Sequence, residues 1–107
     1  MNIKHYTYRV TWSPDDGEFV AACAEFPSLS WLAGSQTDAL VGLQTMLREI
    51  IADMEAAGEL VPAPFSSRKY SGKFVVRTPE NIHRRISVEA AEAGVSLNRY
   101  VNAKLVS

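Results

Sequence analysis

The chain has few cysteines and histidines and no long apolar run, so the residue types that mark disulfide, metal and membrane proteins are scarce. Its single cysteine, Cys23, cannot form a disulfide within the chain, and its two histidines, His5 and His83, lie far apart in sequence. A zinc site or an acid–base pair would need further convergent groups. Neither a secretory leader nor an apolar run long enough to span a membrane is evident. We therefore expect a soluble, cytoplasmic protein in a reducing compartment, with no metal, no cofactor and no membrane partner.

The size of the chain limits what it can stabilise alone. With 107 residues, of which 47% are hydrophobic, it can build one ordinary core or two very small ones. Small cores tend to take stability from a partner. Oligomerisation is therefore expected before any motif is considered.

The charges are divided between the two ends of the chain. Residues 1–67 contain three lysines and arginines against nine carboxylates, a net −6, whereas residues 68–107 contain eight against three, a net +5. The two opposite charges nearly cancel, so the overall charge is only −1. Such an asymmetry indicates two different partners. The acidic part suits a cationic partner, because opposite potentials speed encounter and disfavour wrong partners.

The N-terminal half predicts a sheet with one helix across it. Residues 6–12 alternate aromatic or β-branched side chains with polar ones, the pattern of a strand with one buried face. Residues 13–17 have the composition of a tight reversal, and a second strand resumes over residues 18–23, which predicts a hairpin. A third strand is predicted over residues 29–33, ended by Gly34.

A helix is predicted after the third strand, with recognisable residues at its start, along its apolar face and at its end. Ser35 is expected to cap it and Gly58 to end it. Its apolar stripe consists of Leu40, Leu43, Leu47, Ile50, Ile51 and Met54. Strands with one apolar face beside a helix with one apolar face imply an α+β, two-layer β-β-β-α domain, which we assign to residues 1–65.

The prolines and serines between residues 59 and 70 resist helix, so we place a linker at residues 66–72. The sequence pattern of residues 73–107 predicts a strand followed by two helices that are joined by a short turn. Thr78 is expected to cap a helix that opens at Pro79, Gly94 to stop it, and Ser96 to cap a second helix. A single strand with two short helices cannot satisfy its own hydrogen bonds, so the strand must pair with something.

This β-α-α module resembles the ribbon-helix-helix fold of the Arc and MetJ repressors, in which two chains pair their strands into an antiparallel ribbon. The resemblance implies that Lys73, Val75 and Arg77 project into the major groove as base contacts, while Phe74 and Val76 point into the dimer core. Lysine and arginine can donate to guanine O6 and N7, whereas valine can touch only a thymine methyl. The alternative for the two cations is an edge strand protected from aggregation by its charge.

Phosphate contacts are also implied by this resemblance. The amides of Ser96, Leu97 and Asn98 would hold a phosphate at a helix N-terminus, because helix starts attract anions. Arg68 and Lys69, just before the ribbon, are expected to add phosphate contacts.

Nearly the whole chain resembles the longer form of the HicB antitoxin family. The similar pieces are the aromatic first strand, WSPDDGEFVA at residues 12–21, EFPSLS at residues 25–30, the helix after Ser35, the proline pair at residues 62 and 64, and YSGKF at residues 70–74. The resemblance implies an N-terminal domain with a partial RNase H fold that covers the catalytic surface of HicA, a small basic toxin that cleaves mRNA. It implies a C-terminal domain that binds the operator of its own operon.

Five residues of the acidic half are our candidates for toxin contact: Asp15, Asp16, Glu18, Glu25 and Trp31. The carboxylates could instead form a metal-binding or catalytic group, but paired aspartates in such a turn usually only form the turn. Trp31 could equally be part of the core, since an aromatic residue serves both roles. We assign no catalytic residue.

Together these features predict a type II antitoxin that neutralises a HicA-like mRNA interferase and represses its own operon as a homodimer, with larger assemblies left open. The alternative is a stand-alone ribbon-helix-helix transcription regulator whose N-terminal domain binds a small ligand or only dimerises. A residual nuclease is the third class.

Overall fold

The alternating residues of the N-terminal half form a three-stranded antiparallel sheet in the computed structural model, which describes residues 2–107. The strands are β1 (Tyr8–Ser13), β2 (Glu18–Cys23) and β3 (Phe26–Ala33), in the order β1-β2-β3, after a 3₁₀ turn at Ile3–His5. Helices follow, so the fold is α+β. β3 begins at Phe26 rather than at residue 29, because it pairs with β2 across a tight turn where Cys23 faces Phe26.

The predicted hairpin between β1 and β2 is confirmed. Ser13 pairs with Glu18 across the reversal, and Gly17 adopts a positive φ of 64° that favours glycine. The Gly17 N–H donates to the Ser13 carbonyl at 2.9 Å, and the Ser13 hydroxyl donates to Asp16 Oδ2 at 2.8 Å. Asp16 therefore serves the turn itself.

The helix α1 (Gln36–Ala56) has the ends that the sequence predicts. The Ser35 hydroxyl accepts from the Asp38 N–H at 3.1 Å, which satisfies a donor that the first turn leaves open. At the other end Gly58 has a φ of 73°, and the Glu59 N–H donates to the Met54 carbonyl at 2.9 Å. Both caps are local, which is why the sequence shows them.

The core of this unit lies between one face of the sheet and α1. Ala21, Leu43 and Leu47 are completely buried there, and the Tyr6 ring meets the Phe26 ring edge to face at a centroid distance of 5.5 Å. The remaining buried hydrophobic residues of the cluster are Ile3, Cys23, Ala39 and Ile51. Five of the six residues of the predicted apolar stripe of α1 therefore lie in or against this core, and the sixth, Leu40, is half-buried.

The C-terminal region contains two helices, α2 (Glu80–Glu92) and α3 (Leu97–Leu105). Gly94 has a φ of 70° and the Val95 N–H donates to the Ala90 carbonyl at 3.1 Å, so α2 ends where the sequence predicts. The Ser96 hydroxyl accepts from the Arg99 N–H at 3.1 Å and caps α3.

The predicted start of α2 is wrong by one residue. Pro79 holds the cap position with extended backbone angles, φ −55° and ψ 148°, and makes no side-chain cap bond. Its carbonyl accepts from the N–H groups of Ile82 and His83 at 3.0 and 3.1 Å. The helix therefore begins at Glu80, and Thr78 lies too far upstream to cap it.

No strand is formed by residues 73–79 in the single chain. A strand requires a hydrogen-bonded neighbour, and Phe74, Val75 and Val76 are 74%, 83% and 66% exposed. The pairing of this segment with a second chain stays a prediction.

The chain divides into two compact units, the first ending at Tyr70 and the second running from Ser71 to Ser107. This boundary lies inside the segment that we predict as a linker, residues 66–72. The part of that segment before Tyr70 is folded, with a 3₁₀ turn at Phe65–Ser67. Among the residues described, no helix is long and apolar enough to cross a membrane.

Candidate partner-binding and nucleic-acid interfaces

The carboxylates of the β1–β2 turn form an exposed acidic tip. Asp15 and Asp16 are exposed, and Glu18 is half-buried at the start of β2. Across residues 2–107 no group of three or more His, Cys, Asp or Glu side chains is arranged to hold a metal ion. The tip offers negative charge to a partner, and its contact with a toxin stays a prediction.

Glu25, the fourth predicted toxin-contacting carboxylate, is not on the surface. It lies in the two-residue turn between β2 and β3 and is only 6% exposed. Its oxygens accept from the Thr7 N–H at 2.9 Å, the Thr7 hydroxyl at 3.2 Å and the Phe65 N–H at 2.9 Å. Because these donors surround the carboxylate, Glu25 offers no surface to a partner, and its assignment as a toxin contact is corrected here to a structural one.

The hydrogen bonds to Glu25 set its ionisation. Burial by itself raises the pKa of this carboxyl, but the N–H groups of Phe65 and Thr7 favour the charged form and lower the pKa below its ordinary value. The Cys23 thiol donates to Glu25 Oε1 at 3.5 Å, and burial raises the pKa of this thiol. Glu25 is thus held as a carboxylate, and Cys23 is held as a packed thiol rather than a reactive thiolate.

The same carboxylate fastens the segment after α1 to the sheet. Besides the Phe65 bond, the Tyr6 hydroxyl donates to the Pro62 carbonyl at 2.7 Å and the Ser66 hydroxyl donates to the His5 carbonyl at 3.0 Å. We call residues 62–67 the strap. Its anchors are 40 to 61 positions away in sequence, so no local signal could have revealed them.

The two cations that we predict as phosphate contacts differ in their surroundings. The Arg68 guanidinium lies 4.0 Å from the centroid of the Phe65 ring, and its Nε donates to the Ala63 carbonyl at 3.0 Å. Lys69 is simply exposed. The Ala63 bond uses only one of the five N–H donors of Arg68, and both assignments stay predictions.

Trp31 stands at the rim of the first unit. It pairs with Ala21 across β2 and β3, lies on the face of the sheet that carries α1, and is 42% exposed. A Cβ added to Gly42 of α1 would come within 2.0 Å of Trp31 Nε1. The indole therefore lies directly against the helix backbone, in contact with the core side yet open to a partner.

In the second unit, a groove of about 870 Å³ is lined by residues of the 72–78 segment, α2 and α3. Its apolar lining residues are Phe74, Val76, Ile86, Leu97, Val101 and Leu105. Lys73 and Arg77 also line the groove, whereas Val75 does not. Val75 is thus the only one of the three predicted base contacts that lies outside the groove, and the alternation of the two faces stays a prediction.

The second unit carries the basic charge. Residues 71–107 contain six lysines and arginines against three glutamates, a net +3. The predicted base contacts Lys73, Val75 and Arg77 are all exposed. A nucleic acid could reach each of them in the single chain.

The predicted phosphate clamp lies at the start of α3. The Ser96 hydroxyl is used as the helix cap, and Leu97 and Asn98 line the groove. The Tyr100 hydroxyl donates to the Glu89 carboxylate, which raises the pKa of Tyr100 and holds α3 against α2. The contact between α3 and α2 therefore holds the start of α3, where Ser96, Leu97 and Asn98 lie. Phosphate binding by these residues stays a prediction.

One comparison with known proteins gives a match. Residues 58–105, which are 48 of the 107 residues, match the model of the HicB family. No curated protein and no solved structure matches the chain. The match supports membership of the HicB family.

Proposed function

We propose that this protein is the antitoxin of a type II toxin–antitoxin system, and that it neutralises a HicA-like mRNA interferase and represses its own operon. The observation that carries the proposal is the HicB match over residues 58–105. HicB is a toxin–antitoxin family, which supports an antitoxin role and a protein that is not an enzyme. The match begins just after α1 and ends at the last residue of α3.

Charge supports a separate partner for each unit. Residues 1–70 have five cations against nine carboxylates, a net −4, opposite in sign to residues 71–107. A basic RNA-cleaving toxin would be attracted to the first unit, and DNA to the second. The partial RNase H-like architecture of the first unit belongs to this proposal as well.

The second unit supports a homodimer that reads DNA. Phe74, Val75 and Val76 are exposed in the single chain, and the apolar groove beside them is open. Pairing the segment 73–78 with its copy would bury the Phe74 and Val76 side chains and leave Lys73, Val75 and Arg77 on the outer face of a ribbon. In this arrangement these three residues contact bases, and the amides at Ser96, Leu97 and Asn98 contact phosphates.

The DNA-binding part is tested with the Arg77→Ala variant on a fragment from upstream of the gene itself. Loss of a bidentate guanine contact costs about 1–3 kcal/mol, so a gel-shift titration should show affinity weakened by about tenfold or more. Lys104→Ala is the matched control, because Lys104 lies near the end of α3, with its ammonium over the Tyr100 ring. Wild-type affinity in Arg77→Ala would contradict the assignment of the reading face.

The antitoxin part is tested by co-expression with the neighbouring short reading frame. The proposal requires that the neighbour alone arrests growth, that this protein restores growth, and that the two copurify. Arg77→Ala should still restore growth, since it changes only the DNA-binding unit. A neighbour that is harmless alone would contradict the toxin half of the proposal.

One observation favours a second candidate, a stand-alone ribbon-helix-helix regulator. The family match leaves out residues 1–57, which contain the whole sheet and α1. A first unit without a toxin partner would bind a small ligand or only dimerise. This candidate predicts that the Arg77→Ala experiment succeeds while the growth experiment shows no toxin.

A further inference from the structure

The side of α1 next to Trp31 carries a row of carboxylates. Asp38, Gly42, Glu49 and Asp53 are spaced by four, seven and four residues, so they share one side of the helix. Gly42 is the position against which the Trp31 indole lies. Asp38 therefore lies one turn before the contact with the indole, and Glu49 and Asp53 lie about two and three turns after it. We call Trp31, Asp38, Glu49 and Asp53 the Trp31 surface.

The Trp31 surface is free within the single chain. Asp38, Glu49 and Asp53 are all exposed, and within residues 2–107 none of their carboxylates forms a hydrogen bond or an ion pair. Trp31 itself is 42% exposed, although its large apolar ring would gain from burial. An aromatic plate beside three unpaired negative charges matches a lysine or arginine side chain, which can lie over the indole while its neighbours pair with carboxylates.

The backbone beside this surface is open too. β3 pairs only with β2 among the described strands, and this pairing is interrupted between Phe26 and Ser30, so a regular free edge of N–H and C=O groups runs along residues 30–33. β3 contains no charged residue, and a proline occurs only at its second position. Pro27 and the irregular register limit pairing at the start of β3, whereas residues 30–33 have no charge that would keep a partner strand away.

The glycine at position 42 makes room for the Trp31 indole on the helix. Glycine inside a helix costs about 0.5–1 kcal/mol relative to alanine. A Cβ at this position would come within 2.0 Å of the indole, so the missing side chain is what allows Trp31 to contact the helix backbone. Tryptophan is among the residue types most enriched at the energetic centres of interfaces.

We propose that the Trp31 surface and the adjoining edge of β3 form the docking site for the basic toxin. This inference rests on the proposed function and assigns its toxin-binding site to one surface of the first unit. Carboxylates repel one another, so a net acidic second copy of this unit is a poor occupant and a cationic protein is a good one. In this proposal Asp15, Asp16 and Glu18, which form the acidic tip, lie at the edge of the toxin interface or outside it.

The test compares two variants that each lose three carboxylates. One is Asp38→Asn, Glu49→Gln, Asp53→Asn, and the matched control is Asp15→Asn, Asp16→Asn, Glu18→Gln. The probe is the purified product of the neighbouring reading frame, made as a variant that no longer arrests growth so that it can be produced. The first variant should bind it about tenfold or more weakly, with a slower association rate and a flatter salt dependence, and the control should change affinity by less than about threefold.

Trp31 is tested separately in a Trp12→Phe background, which leaves it as the only tryptophan. Its fluorescence should shift to shorter wavelength and lose accessibility to acrylamide when the toxin binds, because docking removes water from the indole. Trp31→Phe, checked for an unchanged thermal unfolding curve, should weaken toxin binding at least fivefold. An unchanged emission spectrum in a complex that forms normally would overturn the docking site while leaving the antitoxin function standing.

Two other outcomes are informative. If the acidic-tip variant loses affinity and the α1 variant keeps it, the docking site is the β1–β2 turn and this inference is wrong. If the protein alone shows the Trp31 fluorescence shift with rising concentration, the occupant is a second copy, which also contradicts it. If the wild-type chain binds no neighbour product and no neighbour arrests growth, the proposed function itself fails, and the docking site fails with it.

Discussion

Glu25 shows how one buried side chain can organise a small domain. Its carboxylate accepts hydrogen bonds from Thr7, just before β1, and from the strap at Phe65, two segments far apart in sequence. A buried carboxylate without such donors would be costly, and each donor without the carboxylate would be left unsatisfied. Glu25 therefore joins the sheet to the segment that leads toward the second unit.

Removing this charge should destabilise the first unit. Glu25→Gln keeps the size of the side chain but turns an amide donor toward backbone N–H groups, which cannot accept it. We expect a loss of about 2 kcal/mol in the free energy of unfolding at neutral pH, measured by urea denaturation. Asp53→Asn, an exposed position without a hydrogen bond, is the control and should change stability by less than about 0.5 kcal/mol.

The same residue predicts a pH dependence with a definite sign. Its pKa is lowered in the folded state, so its contribution is complete above the pKa of the unfolded chain and is lost as the pH falls through the folded pKa. In urea titrations between neutral and acidic pH, the difference in stability between wild type and Glu25→Gln should shrink as the pH falls. A constant difference down to pH values below the folded pKa would mean that packing, and not charge, explains the loss.

Gly42 gives a second prediction at the residue scale. Gly→Ala inside a helix normally stabilises, but here the new methyl would meet the Trp31 indole at 2.0 Å. We expect Gly42→Ala to lower the melting temperature, and to become neutral or stabilising when Trp31→Ala is added. Such a reversal in a double-mutant cycle would show direct contact, whereas additive effects would contradict it.

At the scale of elements, the sequence predicts what depends on nearby residues. The β1–β2 hairpin, both ends of α1, the end of α2 and the cap of α3 follow from turn residues and caps within a few positions of each other. The start of α2 was missed because Pro79 itself takes extended angles and occupies the cap position in place of Thr78. The burial of Glu25 could not be predicted, because its donors at Thr7 and Phe65 are 18 and 40 positions away.

Substitutions at neighbouring residues of the segment 73–78 should have opposite effects on dimerisation. Phe74 lines the apolar groove and Val75 does not. Phe74→Lys should therefore abolish the homodimer in sedimentation velocity experiments, since a buried charge costs several kcal/mol. Val75→Lys should leave the dimer intact and raise DNA affinity by adding a cation to the outer face. Equal effects of the two substitutions would contradict an alternating ribbon.

At the scale of the whole molecule, the two units should differ in what they need from a second chain. The first has its own buried cluster of sheet and helix residues, including the fully buried Leu43 and Leu47. The second has a single buried residue among those described, Ala90, which is 3% exposed. So few buried side chains cannot supply the stability of an independent domain, which explains why the proposed dimer contact coincides with the exposed segment around Phe74.

If only the second unit needs a second chain to fold, the protein should unfold in two transitions. Only one of them should depend on protein concentration. A hundredfold rise in protein concentration stabilises a dimer by about 2.7 kcal/mol, whereas a monomeric fold is unaffected. In calorimetry of the full chain, one transition should move to higher temperature with concentration and the other should stay fixed. Phe74→Lys should remove the concentration-dependent transition, and Glu25→Gln should lower only the fixed one. A single transition that ignores concentration would mean that the second unit folds without a partner, and the ribbon would then have no structural basis.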